Sequence, residues 1–317
     1  MLGSAGEVEV FEASRGRLEA IAYRLLGSAG DAEDVVQEAF LRWHAADRAR
    51  IEVPEAWLTK VLTNLCLTLL GSARVRREAY VGEWLPEPVL DGDRMLGPAD
   101  TAEQRESVSL AMLMLLERLT PKERVVYVLR EAFGYPHREI AEMIGIGEAN
   151  CQQVYRRARL HVADGHAARG AAVDEAAARR IAEEFLAAAL SGETEPLVAL
   201  LAADAVGVAD GGGRMPARRS PIVGAGDIAR YLYRLFLPSA AKRALVGEAP
   251  ALFGAIVNGG PAVVAEAGGR VVGVMALEVG PGGVEALQIQ VNPEKLGRFA
   301  RAWQASGARR AHPLQGW

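Results

Sequence analysis

The chain has 317 residues, half of them apolar, with 40 acidic and 36 basic side chains and a net charge of −4. That length accommodates two or three domains with their own cores, and no purely apolar run is longer than Leu110–Leu116, far short of the roughly 18 residues needed to span a bilayer. The charge is uneven: residues 1–168 carry net −6 and residues 169–317 net +2.

The N-terminus offers Glu7, Glu9 and Glu12 where a secretory signal needs basic residues followed by an apolar core, so a cytoplasmic protein without membrane contact is expected. Residues 8–78 read as helices, with Phe11, Leu18, Ile21 and Leu25, then Val35, Val36 and Phe40, then Trp57, Leu58, Val61, Leu62 and Leu65 at helical spacing. Asp31-Ala32-Glu33-Asp34 places carboxylates at a helix start, where the backbone dipole favours them. Pro86, Pro88, Gly92, Gly97 and Pro98 then break the pattern, predicting an ordered, non-helical linker. Helices resume at 101–166, where Thr120-Pro121 ahead of Glu123 forms a helix start signal.

Within that stretch lies a helix-turn-helix. Ile140, Ala141 and Ile144 mark a first helix, Gly145-Ile146-Gly147 the turn, and Cys151, Val154 and Ala158 the inner face of a second helix that opens at Glu148. Asn150, Gln152, Gln153, Arg156, Arg157 and Arg159 are left outward, amides for base edges and guanidinium groups for guanine or phosphate. The half that carries this motif is the acidic half. Because non-specific DNA affinity comes from neutralising phosphates, such a chain needs delivery to DNA by a larger partner.

From about residue 172 the character changes. Val173, Ala177, Ile181 and Phe185 line one face of an alanine-rich helix ended by Ser191-Gly192, and further helices are expected at 195–201 and 227–237. Four short strands follow at 251–257, 262–267, 271–278 and 284–291, separated by Gly-rich turns, with a shorter one at 205–209. This is an α+β domain with a curved antiparallel meander. Cys66 and Cys151 sit in apolar helical patterns, as buried thiols do. His44, His137, His161, His166 and His312 lack ligand spacing, so neither a metal nor a cofactor is expected.

DAEDVVQEAF at 31–40, AWLTKVLTNL at 56–65, the basic patch Arg74, Arg76 and Arg77, and LTPKERVVYVL at 119–129 ahead of the helix-turn-helix together resemble an extracytoplasmic-function RNA polymerase sigma factor. The C-terminal segment resembles a SnoaL-like domain. YVGEWLPEP at 80–88, DGGG at 210–213 and NPEKL at 292–296 match the subfamily that fuses the two. The resemblance implies a first sigma domain at 1–78, a linker at 79–105, a second sigma domain at 106–168, an α+β SnoaL-like cone at 172–305 and a tail at 306–317.

It also implies roles. Asp31, Glu33, Asp34 and Glu38 would dock on the clamp helices of core RNA polymerase, with its flap as a further contact. Lys60, Asn64, Arg74, Arg76 and Arg77 would read the minus-ten element, and the loop at 44–54 would capture a flipped base. Trp84, Leu85, Pro86, Asp210, Gly211, Gly212, Gly213, Asn292, Pro293 and Lys295 would regulate in cis, in place of a separate anti-sigma protein. The sequence departs from the family at 63–74, where Asn64, Thr68, Leu69 and Gly71 replace usual arginines and an aspartate, and at Gly147, which replaces a Ser or Thr cap. A SnoaL-type enzyme is the alternative, as is a small-molecule sensor. Catalysis would want an aspartate and histidine facing a pocket, yet no histidine lies between His166 and His312, and Asp204, Asp210 and Asp227 fall where turns and caps explain them. No catalytic residue is assigned.

Overall fold

The computed structural model describes residues 3–78, 80–97, 107–165, 175–307 and 312–313. They divide into two compact units, one of Met1–Ala79, Gly92–Val108 and Met112–Ala167, the other of Tyr80–Asp91, Ser109–Ala111 and Ala168–Trp317.

The first unit is helical. It contains α1 (Gly3–Leu26), α2 (Ala29–Ala45), a 3₁₀ turn at Arg48–Arg50, α3 (Pro54–Glu78), a second 3₁₀ turn at Arg94–Leu96, α4 (Leu110–Leu116), α5 (Pro121–Glu131), α6 (His137–Ile144) and α7 (Glu148–Gly165). Phe11, Leu18, Ile21, Leu25, Val35, Val36, Leu58, Leu62 and Cys66 are buried, at the helical spacing of their sequence pattern. Phe40 and Trp57 are half-buried and meet aromatic partners, Phe11 at 4.9 Å and Trp43 at 5.7 Å between ring centroids. Ser28 caps α2, its hydroxyl accepting from the Asp31 amide. Thr120 and Glu123 close a reciprocal capping box at α5, with Pro121 in the first turn. Gly145 ends α6 in the left-handed region at φ 68°, which an L side chain adopts with strain.

The second unit carries α8 (Glu175–Leu190), α9 (Glu195–Leu200), β1 (Leu201–Asp210), β2 (Ile222–Val223), α10 (Ala225–Phe236), α11 (Ala240–Val246), β3 (Ala251–Val257), β4 (Gly260–Ala267), β5 (Arg270–Gly280), β6 (Gly283–Gln290), α12 (Pro293–Ala305) and β7 (His312–Pro313). The strands form one sheet in the order β2-β1-β6-β5-β4-β3-β7. The expected meander is β3 to β6, and its first turn, Asn258-Gly259, has both residues at positive φ, as a two-residue hairpin loop requires. Three pairings add to it: β2 on β1 and β7 on β3 are antiparallel, and β1 runs parallel to β6, so the sheet is mixed. Bulges in β1, β5 and at Ala265/Glu266 bend it.

Both faces of the sheet are covered. Phe185, Leu186, Ile228 and Leu232 pack on Leu252, Val263, Met275, Leu277, Leu287 and Ile289 on one face. Leu296, Phe299 and Trp303 of α12 pack on Val257, Ala262, Val264 and Val274 on the other. The inward face of α8 is Ala178, Ala182, Phe185, Leu186 and Ala189, rotated from the expected one, on which Ala177 and Ile181 are half-buried and Val173 lies outside the described residues. The helix packs on β3 and β4, with Ala182 facing Gly254 of β3.

The capping box gives a stability expectation. Thr120→Ala removes one acceptor and one partner of the box, and should lower the unfolding free energy of the helical unit by about 1 kcal/mol. Urea denaturation followed by circular dichroism measures this; an unchanged midpoint would show that α5 is held by its packing alone.

Candidate functional site

The helix-turn-helix surface is as its periodicity predicts. Cys151, Val154 and Ala158 are buried, while Asn150, Gln152, Gln153, Arg156, Arg157 and Arg159 are exposed along α7. Arg157 lies 4.0 Å from Glu123, and the Arg159 guanidinium sits 5.9 Å from the Tyr155 ring centroid. On α2, Glu33 and Asp34 are exposed, Asp31 is half-buried near its cap, and Glu38 pairs with Arg42 at 2.9 Å. An exposed i,i+4 pair of that kind adds little stability. The carboxylates form an acidic surface along α2.

Lys60 and Asn64 face outward from α3, and Arg74, Arg76 and Arg77 follow on the same helix with side chains outside the described residues. Asn64 is not idle. Its amide donates to the carbonyl of Met143, on the first helix of the helix-turn-helix, at 3.1 Å, and to that of Lys60 at 2.8 Å. Tyr135, just ahead of α6, meets Thr59 at 3.3 Å and accepts from Arg17 at 3.3 Å. Two buried arginines complete this side-by-side packing of α1 and α3 with α5 and α6. Arg124 donates to the Leu25 carbonyl at 3.0 Å and pairs with Glu117 at 2.7 Å, and burial lowers its pKa to about 9. Arg24 donates to the carbonyls of Ala20 at 3.2 Å and Leu96 at 2.8 Å and to Ser107 at 2.9 Å, and burial lowers it to about 10. Both remain charged at neutral pH; carbonyls and a hydroxyl surround Arg24, whereas Arg124 has one carbonyl and the Glu117 carboxylate, and its Nε has no hydrogen-bond partner among the described residues.

The second unit gathers the regulatory candidates into one polar knot. Asp210, at the end of β1, is 1 % exposed. Its Oδ1 accepts from the Tyr80 hydroxyl at 2.6 Å and the Gly212 amide at 2.9 Å; its Oδ2 accepts from Lys295 at 2.6 Å, the Leu85 amide at 3.0 Å and Gln290 at 3.4 Å. Lys295, on the first turn of α12, also donates to the Leu85 carbonyl at 2.6 Å and lies 4.1 Å from the Trp84 ring centroid and 4.8 Å from that of Tyr80. Asn292 caps α12 through the Glu294 amide and donates to the Tyr80 hydroxyl at 2.8 Å, and Pro293 occupies the first helical turn.

The linker segment 80–91 is thus strapped across the sheet. Leu85 is fully buried and Pro86 is buried, with the Pro86 carbonyl 3.5 Å from Gln290. At its far end Leu90 bridges Val257, the Asp91 amide donates to Ile256, and the Asn258 side chain accepts from the Val89 amide at 2.9 Å. The glycines of DGGG are there for space. A Cβ on Gly211 would fall 2.1 Å from the Met215 carbonyl oxygen, and one on Gly212, itself at φ 59°, 2.3 Å from the Asn292 amide nitrogen. Gly213 meets Val81 at ordinary to tight contact distances. Burial and the Asp210 carboxylate push the Tyr80 phenol well above its usual range, so it stays protonated.

Tyr80, Gln290 and Asn258 are functional partners that the sequence reading does not single out. The available signal is Gln290, a polar residue on a strand buried on both faces, which marks a place where something polar must land. Of the other carboxylates weighed for catalysis, Asp204 is exposed and Asp227 is an exposed partner of Arg230. Among the described residues no group of three metal-ligating side chains is found, and no helix is long and apolar enough to cross a membrane.

Lys295→Met should remove the cation from a buried carboxylate and cost the C-terminal unit about 3 kcal/mol. Urea unfolding followed by tryptophan fluorescence, with amide exchange read at Leu85, measures it. Equal stability together with retained protection at Leu85 would show that the neutral hydrogen bonds suffice to hold the strap.

Residues 10–76 match the family model of Sigma-70 region 2, and residues 109–162 match that of Sigma-70 region 4. The chain is 38% identical to the ECF RNA polymerase sigma factor SigJ of Mycobacterium tuberculosis over 257 residues, covering 80% of this chain and 79% of that one. It is 35% identical to the probable ECF RNA polymerase sigma factor SigI of the same species over 292 residues, covering 90% and 93%. The crystal structure of M. tuberculosis SigJ superimposes with a TM-score of 0.70 at 33% identity, over 91% of this chain and 98% of that one. With two sigma regions in order and relatives that span nearly its whole length, the chain belongs to the ECF RNA polymerase sigma factors, the subunits that direct RNA polymerase to promoters.

Proposed function

We propose that this sigma factor is held and tuned in cis by its own C-terminal domain, without a separate anti-sigma protein and without catalysis by that domain. The observation that carries the proposal is the buried Asp210–Lys295 pair, closed around the backbone of Leu85. A charge pair taken out of water needs every remaining hydrogen bond satisfied, and here the segment between the two sigma regions supplies three of them: the Tyr80 hydroxyl, the Leu85 amide and the Leu85 carbonyl. Docking and release of the strap therefore form a two-state element, and it lies on the linker that sets how far apart the two DNA-reading regions can move.

On this reading, Asp31, Glu33, Asp34 and Glu38 dock on the basic clamp helices of core polymerase, which brings an acidic chain to DNA. Arg156, Arg157 and Arg159 contact phosphate or guanine at the minus-thirty-five element, with Asn150, Gln152 and Gln153 at base edges. Lys60, Asn64, Arg74, Arg76 and Arg77 serve the minus-ten element. The bond from Asn64 to the Met143 carbonyl supports a further point: the free chain keeps its two readers packed together, so it binds promoter DNA weakly until polymerase separates them.

Two experiments test this. In run-off transcription with core polymerase, Asp34→Lys with Glu38→Lys should abolish core pull-down and transcripts, whereas Gln152→Ala with Gln153→Ala should keep core binding and change promoter preference. Normal core binding by the first variant, or unchanged preference in the second, removes the corresponding assignment. In the same assay, Trp84→Ala or removal of residues 292–317 should change transcript yield several-fold while circular dichroism shows the helices retained. Unchanged yield in both, with unchanged small-angle scattering, would reduce the C-terminal domain to a tethered passenger.

A further inference from the structure

Beside the polar knot the second unit holds a cavity of about 330 Å³, which neither the sigma function nor the strap accounts for. Its walls have two characters. Val81, Ala209, Met215, Pro216, Ala217 and Leu245 give it an apolar lining. Arg214, Arg218 and Arg219 also line it, all exposed. Arg214 is neutralised by Glu294, but among the described residues neither Arg218 nor Arg219 makes an ion pair. Two guanidinium groups without an ion-pair partner beside an apolar wall are recognition elements for an anion that carries a hydrophobic body.

The glycine loop does not serve as the anion site itself. The Gly212 amide is held by Asp210, and the amides of Arg214 and Met215 both donate to the Gly211 carbonyl. Recognition therefore falls to the arginine side chains. The volume limits the body to a small one, near the lower end of pockets that take organic ligands. One wall is contributed by α11, on which no residue is buried and Leu245 is 46 % exposed. A ligand seated there would cover an apolar side chain that the fold leaves in water.

We propose that this cavity binds a small amphipathic anion, a carboxylate or phosphate on an apolar body, with Arg218 and Arg219 holding the charged group. Val81 and Gly82 of the strap form part of the wall, so the bound ligand touches the docked linker and favours its docked state. Any effect on transcription rests on the cis reading above. The binding does not, so the two fail separately.

Isothermal titration of the full-length chain with 1-naphthyl phosphate and 1-naphthoate, against 1-naphthol and inorganic phosphate, tests the proposal. Saturable binding of one or both anions is expected with a dissociation constant on the order of 0.1 mM, at least about tenfold tighter than naphthol or phosphate alone. Arg218→Ala with Arg219→Ala should weaken it about tenfold or more, and the double lysine variant should restore part of the affinity. Val81→Trp, which fills the cavity from the exposed strap side while leaving both arginines, should abolish binding. With ligand present, amide exchange across 80–91 should slow. No saturation by either anion, equal binding of naphthol, or undiminished affinity in the double alanine or the tryptophan variant would each overturn the site.

Discussion

A carboxylate and an ammonium that leave water together must replace every lost contact with solvent, and Asp210 with Lys295 does so by drawing in the chain between the two sigma regions. The carboxylate has five donors around it, and the ammonium has the Leu85 carbonyl and two aromatic rings besides the carboxylate. Three of these belong to DGGG and NPEKL, or to the strand between them, and the rest come from YVGEWLPEP. Remove the strap and the pair is left short of its amide, its hydroxyl and its aromatic cover. That dependence runs both ways: Leu85 and Pro86 have no helix of their own to bury them, and the sheet face provides the burial.

The helical unit uses a related device. Arg24 and Arg124 are buried cations whose partners are mostly carbonyls, several of them at helix ends or in the 3₁₀ turn, where backbone oxygens have no helical donor. A guanidinium has five donors in a fixed plane and can tie several segments at once. Arg24 joins the 3₁₀ turn and Ser107 to α1, with the Phe133 ring 5.2 Å from the guanidinium. Arg124 joins α5 to the C-terminal end of α1. Directional bonds of this sort fix orientation between regions more tightly than apolar packing does, and they can be exchanged for others when a partner offers better acceptors.

Local chemistry was readable from the residues alone. The outward face of α7, the Thr120 cap, the Asn258-Gly259 hairpin and the buried state of Cys66 and Cys151 all follow from periodicity or turn chemistry within a few residues. What escaped was non-local. The parallel pairing of β1 with β6 joins segments some eighty residues apart, and the sequence of β1 ends in Asp210, which reads as a turn residue until Lys295 is placed against it. The inward face of α8 is the one that packs on β3 and β4, strands from another part of the chain. Asp210, Asn292 and Lys295 were identified through the resemblance of short words, and the charge pairing that unites them came only with the fold. Tyr80 and Gln290 show the same limit, since neither has a local pattern that announces a carboxylate 130 or 80 positions away.

Chain order gives the clasp a place in time. Residues 80–91 leave the ribosome early, between the two sigma regions, whereas Lys295 follows some two hundred residues later. At synthesis rates of about 5–20 residues per second, the interval is on the order of 10–40 s. During that interval both helical regions can be complete while the strap has no cation, no capping asparagine and no sheet to lie on. Each newly made molecule therefore passes through a period in which both sigma regions exist before the partners of the 80–91 segment do, and the length of the C-terminal domain sets the duration of that period.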